Sequence, residues 1–266
     1  MTKDYPNGAA FYSENAELLH RNPYLSALLC RDAELLKTPD ARNYAARTDA
    51  AGKTLLAIRV APYSLLLYGD GDCLSELLVF LAEKQFDFDG VLCPTALGER
   101  LIAVAPAAVQ KRYSRTIGMD FMEATEVTEP SAAGIVPATP DDLDELFACA
   151  LAFVEDCGLT DVIHREEFAK LLPTFRLFKE DGKIISMARF APNDEHSDRI
   201  SYVYTRPEFR GKGYARKLVN TVKNEILERG KVATLNVDQA NPVSNRLYAS
   251  LGFQKVFSQG IYAAEK

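Results

Sequence analysis

A short stretch of this chain concentrates positive charge beside two glycines. The sequence VYTRPEFRGKGYARKLVN runs from Val203 to Asn220. Between Arg206 and Lys217 it holds five basic residues and one glutamate, a local charge of +4 in a chain whose net charge is −6. This concentration points to a bound anion rather than to a generally basic surface.

The glycines stand where a strand-like stretch ends and a helix-like stretch begins. The first amide N–H groups of a helix have no partner within it, and together with the helix dipole they form a site for phosphate. Glycine adopts dihedral angles that are costly for other residues and lets ligand oxygens approach the backbone. The stretch from Arg210 to Ala215 therefore predicts a site for a ligand with several negative charges. The glycines alone would also suit a bare turn before a solvated basic helix.

Two common phosphate-binding patterns do not fit this stretch. G-x-x-x-x-G-K-[ST] is absent, and Arg216 stands where G-x-G-x-x-G requires its third glycine. The run R-x-x-G-x-A, formed by Arg210, Gly213 and Ala215, resembles instead the acetyl-CoA loop of the GNAT N-acetyltransferase superfamily. About thirty residues later, NPVSNRLYASLGF (241–253) resembles the second signature of that family. The resemblance covers roughly residues 134–266 and is closest to a two-domain branch that includes relatives of glycine N-acyltransferases.

The resemblance implies a fold and a cofactor geometry. The fold would be α/β (α+β), with a mixed, mostly antiparallel sheet flanked by helices, in tandem with a degenerate GNAT-like amino-terminal domain. Backbone amides from Gly211 to Ala215 would hold the pyrophosphate of acetyl-CoA, and a strand edge would pair with the pantetheine. The residues that the resemblance assigns to the cofactor are Val203, Tyr204, Thr205, Arg210, Gly211, Lys212, Gly213, Tyr214, Ala215, Asn241, Ser244, Asn245 and Tyr248.

Tyr248 has two interpretations. A tyrosine in a short amphipathic helix commonly packs in the core with its hydroxyl at the surface. Within the family signature, Tyr248 is instead the general acid that gives a proton to the departing CoA thiolate. An amine acceptor with a pKa of ~10.4 must also lose a proton, at a cost of ~4–5 kcal/mol at pH 7. Glu155 and Asp238 are the candidate bases, although neither sits in a motif that fixes the role.

The elements that position these residues follow from the hydrophobic pattern. The sequence predicts strands at Arg176–Lys179 and Lys183–Ala191, joined by the turn at Asp181 and Gly182, and a third strand at Ile200–Thr205. It then predicts a helix with Leu218, Val219, Val222 and Ile226 on its apolar face and Asn220, Lys223 and Asn224 elsewhere. A strand at VATLNV, a short helix capped by Asn241, and a closing pair of strands at FQKVF and IYAAE complete this half.

A linker precedes that half. Glu129, Pro130, Ser131 and Gly134 interrupt the pattern, and Thr139 caps a helix that begins at Pro140. We therefore predict a domain boundary near residue 133, with a degenerate GNAT-like domain at 1–133 and the acetyltransferase domain at 134–266.

The amino-terminal half looks like a second copy. AGKTLLAIRVAP (51–62) aligns with DGKIISMARFAP (181–192) at an offset of 130 residues, and both are followed by an apolar strand and a helix. The first copy has GDGDCLSELL, with Asp72 as its predicted helix cap, where the second has the basic glycine loop. If the halves are copies, only the second keeps the anion site.

Bulk properties limit the remaining function classes. The sequence pI near 5.3 argues against a general nucleic-acid binder, and no apolar run approaches the ~18 residues that span a bilayer. Five scattered cysteines and the lack of a signal peptide favour reduced thiols and a cytoplasmic protein without a metal site. We expect an N-acyltransferase that acetylates a primary amine of a small molecule or peptide. The alternative is a non-catalytic acyl-CoA-binding or regulatory module, and a homodimer is left open.

Overall fold

The computed structural model describes residues 1–158 and 162–265. Its helices are α1 (Gly8–His20), α2 (Pro23–Leu35), α3 (Leu74–Glu83), α4 (Thr95–Val109), α5 (Leu143–Asp156), α6 (Arg165–Ala169), α7 (Tyr214–Glu228) and α8 (Pro242–Ser250). Its strands are β1 (Thr2–Asp4), β2 (Tyr44–Ala50), β3 (Lys53–Arg59), β4 (Leu65–Gly69), β5 (Gly90–Pro94), β6 (Tyr113–Ala124), β7 (Ile135–Pro137), β8 (Phe175–Glu180), β9 (Lys183–Pro192), β10 (Ser197–Thr205), β11 (Val232–Asp238) and β12 (Gln254–Ala264). Within these residues, no helix combines the length and apolar character that crossing a bilayer demands.

Internal contacts divide the chain into two compact units. Unit 1 contains Met1–Asp120, Asp238–Ala240 and Phe257–Lys266, whereas unit 2 contains Phe121–Val237 and Asn241–Val256. Two divisions therefore fall within β6 and β12, and two more bound the short segment at the end of β11 and in the loop that follows it. The assignment of a degenerate copy to 1–133 stays a prediction.

The order of elements is the same in both halves of the chain. The order β-α-α-β-β-β-α-β-α-β runs once from β1 to β6 and again from β7 to β12. The first hairpin turns at Ala51 and Gly52 with φ of +50° and +78°, and the second at Asp181 and Gly182 with φ of +49° and +77°. Two consecutive left-handed residues make the type I′ turn that suits the twist of a hairpin. This repetition supports the duplication predicted from the sequence.

The sheet of unit 2 is mixed and mostly antiparallel, as expected. Strands β7, β8, β9 and β10 pair antiparallel in that order, and β10 pairs with β11 in parallel. One face packs on α7 and α8 through a core that includes Leu218, Val222 and Leu235. The other face packs on α5 and α6 through a core that includes Leu146, Phe168 and Met187. The predicted strands around 176–179, 183–191 and 200–205 are confirmed, and β7 is an additional edge strand.

The sheet of unit 1 follows the same plan. Strands β1 to β4 pair antiparallel in chain order, β4 pairs with β5 in parallel, and Gln259–Ala263 of β12 pair antiparallel with β5. Helices α1 and α2 cover one face, and α3 and α4 cover the other. Asp70 and not Asp72 is the capping residue of the short 3₁₀ turn Gly71–Cys73 that leads into α3, because its carboxylate accepts the N–H of Asp72 at 2.9 Å. The prediction of Asp72 as the cap is wrong.

Part of the polar side of α7 is buried. Asn220 donates to the carbonyl of Pro130 at 2.8 Å, and Asn224 donates to the carbonyl of Glu129 at 2.9 Å. Lys223 is fully buried and donates to Thr128 Oγ1 at 2.8 Å. The residues predicted to form a linker therefore lie along α7, where side-chain donors satisfy their backbone carbonyls.

The prediction of a closing pair of strands at FQKVF and IYAAE is also wrong. β12 continues without a turn from Gln254 to Ala264. Ser258 Oγ donates to Asp120 Oδ1 at 2.6 Å in the middle of this strand. The residues Ser258, Gln259 and Gly260 between the two predicted strands are therefore part of one strand.

Candidate functional site

Strand β10 changes course in the middle of its length. Its parallel pairing with β11 runs from Ser197–Val232 to Arg199–Thr234. Its pairing with β9 shifts register between Ser201 and Tyr204, and Tyr202 lies in the left-handed region with φ of +52°. Bulges of this kind bend a strand and re-aim its side chains, often beside active sites. The segment Val203–Thr205 thus leaves β11 and borders a cleft.

The glycine loop follows directly and leads into α7. Gly211 and Gly213 have φ of +77° and +81°, values that other L-residues rarely adopt. Gly213 is the N-cap of α7, and no side chain caps this helix end. A Cβ built on either glycine would meet nothing within 4 Å. The amides of the first turn of α7 are thus free to bind an anion.

The strand edge, the glycine loop and α8 share one cleft of about 480 Å³. It brings together eleven of the thirteen residues that the resemblance assigned to the cofactor: Val203, Tyr204, Thr205, Arg210, Gly211, Gly213, Tyr214, Ala215, Asn241, Ser244 and Tyr248. Lys212 and Asn245 do not line it. The sequence reasoning missed Phe153, Asp156, Cys157, Phe209, Val243 and Leu247, which also line the cleft.

The cations of the loop already have partners. Arg210 forms an ion pair with Asp156 of α5, and its Nε donates to the carbonyl of Thr205 at 3.0 Å. The ammonium of Lys212 lies 4.9 Å from the ring centroid of Phe209. Both members of the Arg210–Asp156 pair are more than 40 % exposed, so the pair is solvated. An incoming anion would compete with Asp156 for this guanidinium.

Tyr248 and Tyr204 are buried tyrosines that line the cleft. The helix of Tyr248, α8, starts at Asn241, whose side chain accepts the N–H of Ser244 at 3.0 Å, so the predicted cap is confirmed. Tyr248 is only 8 % exposed, and burial raises its pKa to about 12. Its hydroxyl has no hydrogen-bond partner among the described residues. A neutral, unshared O–H at the end of a cleft can donate to a ligand atom.

Buried contacts fix the far end of α8. Lys223 Nζ donates to the carbonyl of Leu251 at 2.9 Å, and Thr128 Oγ1 donates to the same carbonyl at 3.2 Å. Leu251 is the C-cap of α8. A cation at the carboxyl end of a helix is favourable for the helix dipole, so Lys223 stabilises the helix that carries Tyr248.

The two candidate bases lie outside the lining of the cleft. Glu155 is exposed on α5, one residue before Asp156, which does line the cleft. Asp238 ends β11, is exposed, and accepts the N–H of Ala240 at 2.8 Å. The role of each as a base stays a prediction.

Comparison with known families and structures supports the sequence resemblance. Residues 141–253 match the model of the family described as acetyltransferase (GNAT) family. A search of curated proteins found no match.

Several solved structures share the fold at low sequence identity. A GNAT-family acetyltransferase from Colwellia psychrerythraea aligns with a TM-score of 0.65 and 11 % identity over 100 % of both chains. A GCN5-related N-acetyltransferase from Sphaerobacter thermophilus aligns with a TM-score of 0.59 and 16 % identity over 90 % of this chain and 85 % of the other. A protein from Novosphingobium aromaticivorans described as a member of the GNAT family has a TM-score of 0.51 and 24 % identity over 82 % and 92 %.

Proposed function

Because residues 141–253 form a domain of the acetyltransferase (GNAT) family, we propose that this protein is an acyl-CoA-dependent N-acetyltransferase. It moves acetyl from acetyl-CoA to a primary amine of a small molecule or peptide by direct attack. The observation that carries this proposal is the single cleft in which an uncapped helix N-terminus, a diverging strand edge and a buried neutral tyrosine meet.

The residues of the cleft fit a bound CoA. Backbone amides at the start of α7 bind the diphosphate, and the space beside Gly211 and Gly213 accommodates its oxygens. The backbone of Val203–Thr205 pairs with the amides of the pantetheine arm as an added strand. Acetyl-CoA supplies the activated acyl group as a thioester.

Tyr248 acts at the leaving sulfur. Because its pKa is raised to about 12, its hydroxyl stays protonated at neutral pH and donates to the thiolate as the C–S bond breaks. A backbone N–H beside the bulge at Tyr202 polarises the thioester carbonyl, in the manner of an oxyanion hole. The amine loses its proton to a base or to water that leads to one, with Glu155 and Asp238 as the candidates.

Two measurements on the same preparation test the proposal. Calorimetry with CoA and acetyl-CoA reports binding, and release of free thiol with a panel of primary amines reports turnover. We expect binding of both forms and amine-dependent thiol release. Binding without turnover would instead favour a non-catalytic acyl-CoA sensor, and no binding by folded protein would overturn both functions. The cytoplasmic location and a homodimer stay predictions.

A further inference from the structure

Arg189 is a partly buried arginine on strand β9 of unit 2. Six other arginines of this unit pair with a carboxylate: Arg165, Arg176, Arg206, Arg210, Arg216 and Arg229. Among the described residues Arg189 has no such pair, and its only hydrogen bond is a long one of 3.4 Å from Nε to the carbonyl of Phe190. Arg189 is nevertheless half-buried, and this burial lowers its pKa. A cation removed from water without a counter-ion is costly, so its retention points to an anion that arrives with a ligand.

The position of Arg189 relates it to the cleft. On β9 it lies opposite Ser201 of β10 and Phe175 of β8, on the face covered by α5 and α6. Its guanidinium lies 5.7 Å from the ring centroid of Phe175 and 5.9 Å from that of Tyr202. The Tyr202 ring in turn lies 5.1 Å from that of Phe153, which lines the cleft.

The rings of Phe153 and Tyr202, both half-buried, form an aromatic wall that runs from the cleft to Arg189, and the fully buried Phe175 supports Tyr202 from the core. Tyr202 takes its place in this wall through the left-handed backbone at the bulge. Such a conformation costs ~1–2 kcal/mol in a non-glycine residue, which favours a role for the re-aimed ring.

We propose that Arg189 and the aromatic wall bind the acyl acceptor, and that the acceptor is a primary amine carrying an anionic group, a carboxylate or a phosphate. This inference rests on the proposed function. The guanidinium takes the anion, the wall packs on the apolar part of the acceptor, and the amine is directed to the end of the cleft that holds Tyr248. Arg189 is therefore a specificity residue and takes no part in the chemical step.

Pairs of amine acceptors that differ in their anionic group show whether that group contributes to recognition. The probes are 4-aminobutyrate and its amide for the carboxylate, and phosphoethanolamine and ethanolamine for the phosphate. For the wild-type protein we expect kcat/KM to be at least about tenfold higher for the anionic member of one pair, from a charged hydrogen bond that the neutral member lacks. The pair with the larger ratio identifies the anion.

Variants then assign the preference to Arg189. Arg189→Gln should raise KM for the anionic acceptor about tenfold or more, with kcat, thiol release from the neutral amine, and CoA binding unchanged. Arg189→Lys should restore part of the preference. Lys183→Gln removes an exposed charge from the same strand and should change nothing. Equal preference in Arg189→Gln and wild type, or no preference in wild type while neutral amines react, would overturn the inference.

Failure of the proposed function would look different. If no amine reacts, calorimetry of 4-aminobutyrate and phosphoethanolamine with the CoA-bound protein still tests the site. We expect heat with wild type and none with Arg189→Gln of equal melting temperature. Absence of heat with both probes in wild type would reject the anion subsite, whatever the outcome for CoA.

Discussion

The two strand-to-helix turns before α3 and α7 differ in whether a carboxylate of the chain caps them. In unit 1, Asp70 caps the turn that leads into α3, and Lys53 pairs with both Asp70, at 3.5 Å, and Asp72. In unit 2, Gly213 caps α7 and no side chain occupies the helix end. The turn before α3 is thus capped by a carboxylate of the chain, whereas no side chain caps the start of α7. The comparison shows that a few loop residues, and not the order of the elements, decide whether a carboxylate of the chain caps the turn.

The glycines of these two turns are required for different reasons. Gly69 precedes the first turn, and a Cβ there would lie 2.3 Å from the carbonyl oxygen of Thr54. A Cβ on Gly211 or Gly213 would meet nothing within 4 Å, so these positions need glycine for their positive φ. A side chain at Gly69 would therefore clash with the backbone, whereas one at Gly211 or Gly213 would meet open space.

The largest expected effect comes from a comparison of Tyr248 with Tyr113, whose hydroxyl already donates a hydrogen bond within the protein. Tyr248→Phe should lower kcat about 100-fold, because a positioned general acid contributes ~10²–10⁴-fold, and should leave the Kd for CoA nearly unchanged. The control is Tyr113→Phe in unit 1, where the hydroxyl donates to the carbonyl of Phe88 at 2.8 Å. That variant should lose about 1 kcal/mol of stability and no activity. A kcat within twofold of wild type would remove Tyr248 from the mechanism.

The pH dependence of turnover tests the same proposed role of Tyr248 as general acid. The acid works in its protonated form, and burial raises the pKa of Tyr248 to about 12. Turnover should therefore show no alkaline loss from this group between about pH 8 and 10, since loss begins only as pH nears the pKa. A Tyr248-dependent decline that is complete below pH 10, absent from Tyr248→Phe, would contradict the raised pKa.

The next prediction places a carboxylate at the turn before α7, as Asp70 does at the turn before α3. Gly213→Asp places a carboxylate at the entrance of α7, whereas Gly213→Asn has the same shape without charge, and both residues tolerate the left-handed region. We expect the Asp variant to bind CoA at least about tenfold more weakly than the Asn variant, because like charges repel at the helix end. Calorimetry at low and high salt measures the difference, which should shrink as salt screens it. Equal Kd values would mean that the diphosphate binds elsewhere.

A smaller effect concerns the carboxylate that the cleft already contains. Asp156→Asn releases Arg210 and should tighten CoA binding about two- to fivefold, since an exposed ion pair is worth only ~0.2–1 kcal/mol. Glu155→Gln removes the same charge one residue away, outside the cleft lining, and is the control. Weaker binding by Asp156→Asn would show that Asp156 orients Arg210 rather than competing for it.

Local signals in the sequence located two parts of the candidate site. The cap at Asn241 and the glycine turn were predicted correctly because each depends on residues within a few positions. The Asp156–Arg210 pair spans 54 residues of sequence, and no local pattern reports such a contact. The burial of part of the polar face of α7 could not be predicted for a related reason, since nothing near Asn220 and Lys223 in the sequence indicates the segment that packs on them.

The smallest expected effect separates a loss of stability, caused by strain in a left-handed backbone, from a loss of CoA binding. Gly182, in the hairpin turn of unit 2, and Gly213 have nearly equal φ of +77° and +81°, and a Cβ on either would meet nothing within 4 Å. Alanine at each should therefore cost about 1 kcal/mol of unfolding free energy through the same left-handed strain. Only Gly213→Ala should also weaken CoA binding, because its methyl group enters space that we assign to phosphate oxygens. Urea unfolding and calorimetry on the two variants check this, and weaker binding by Gly182→Ala would trace the effect to stability alone.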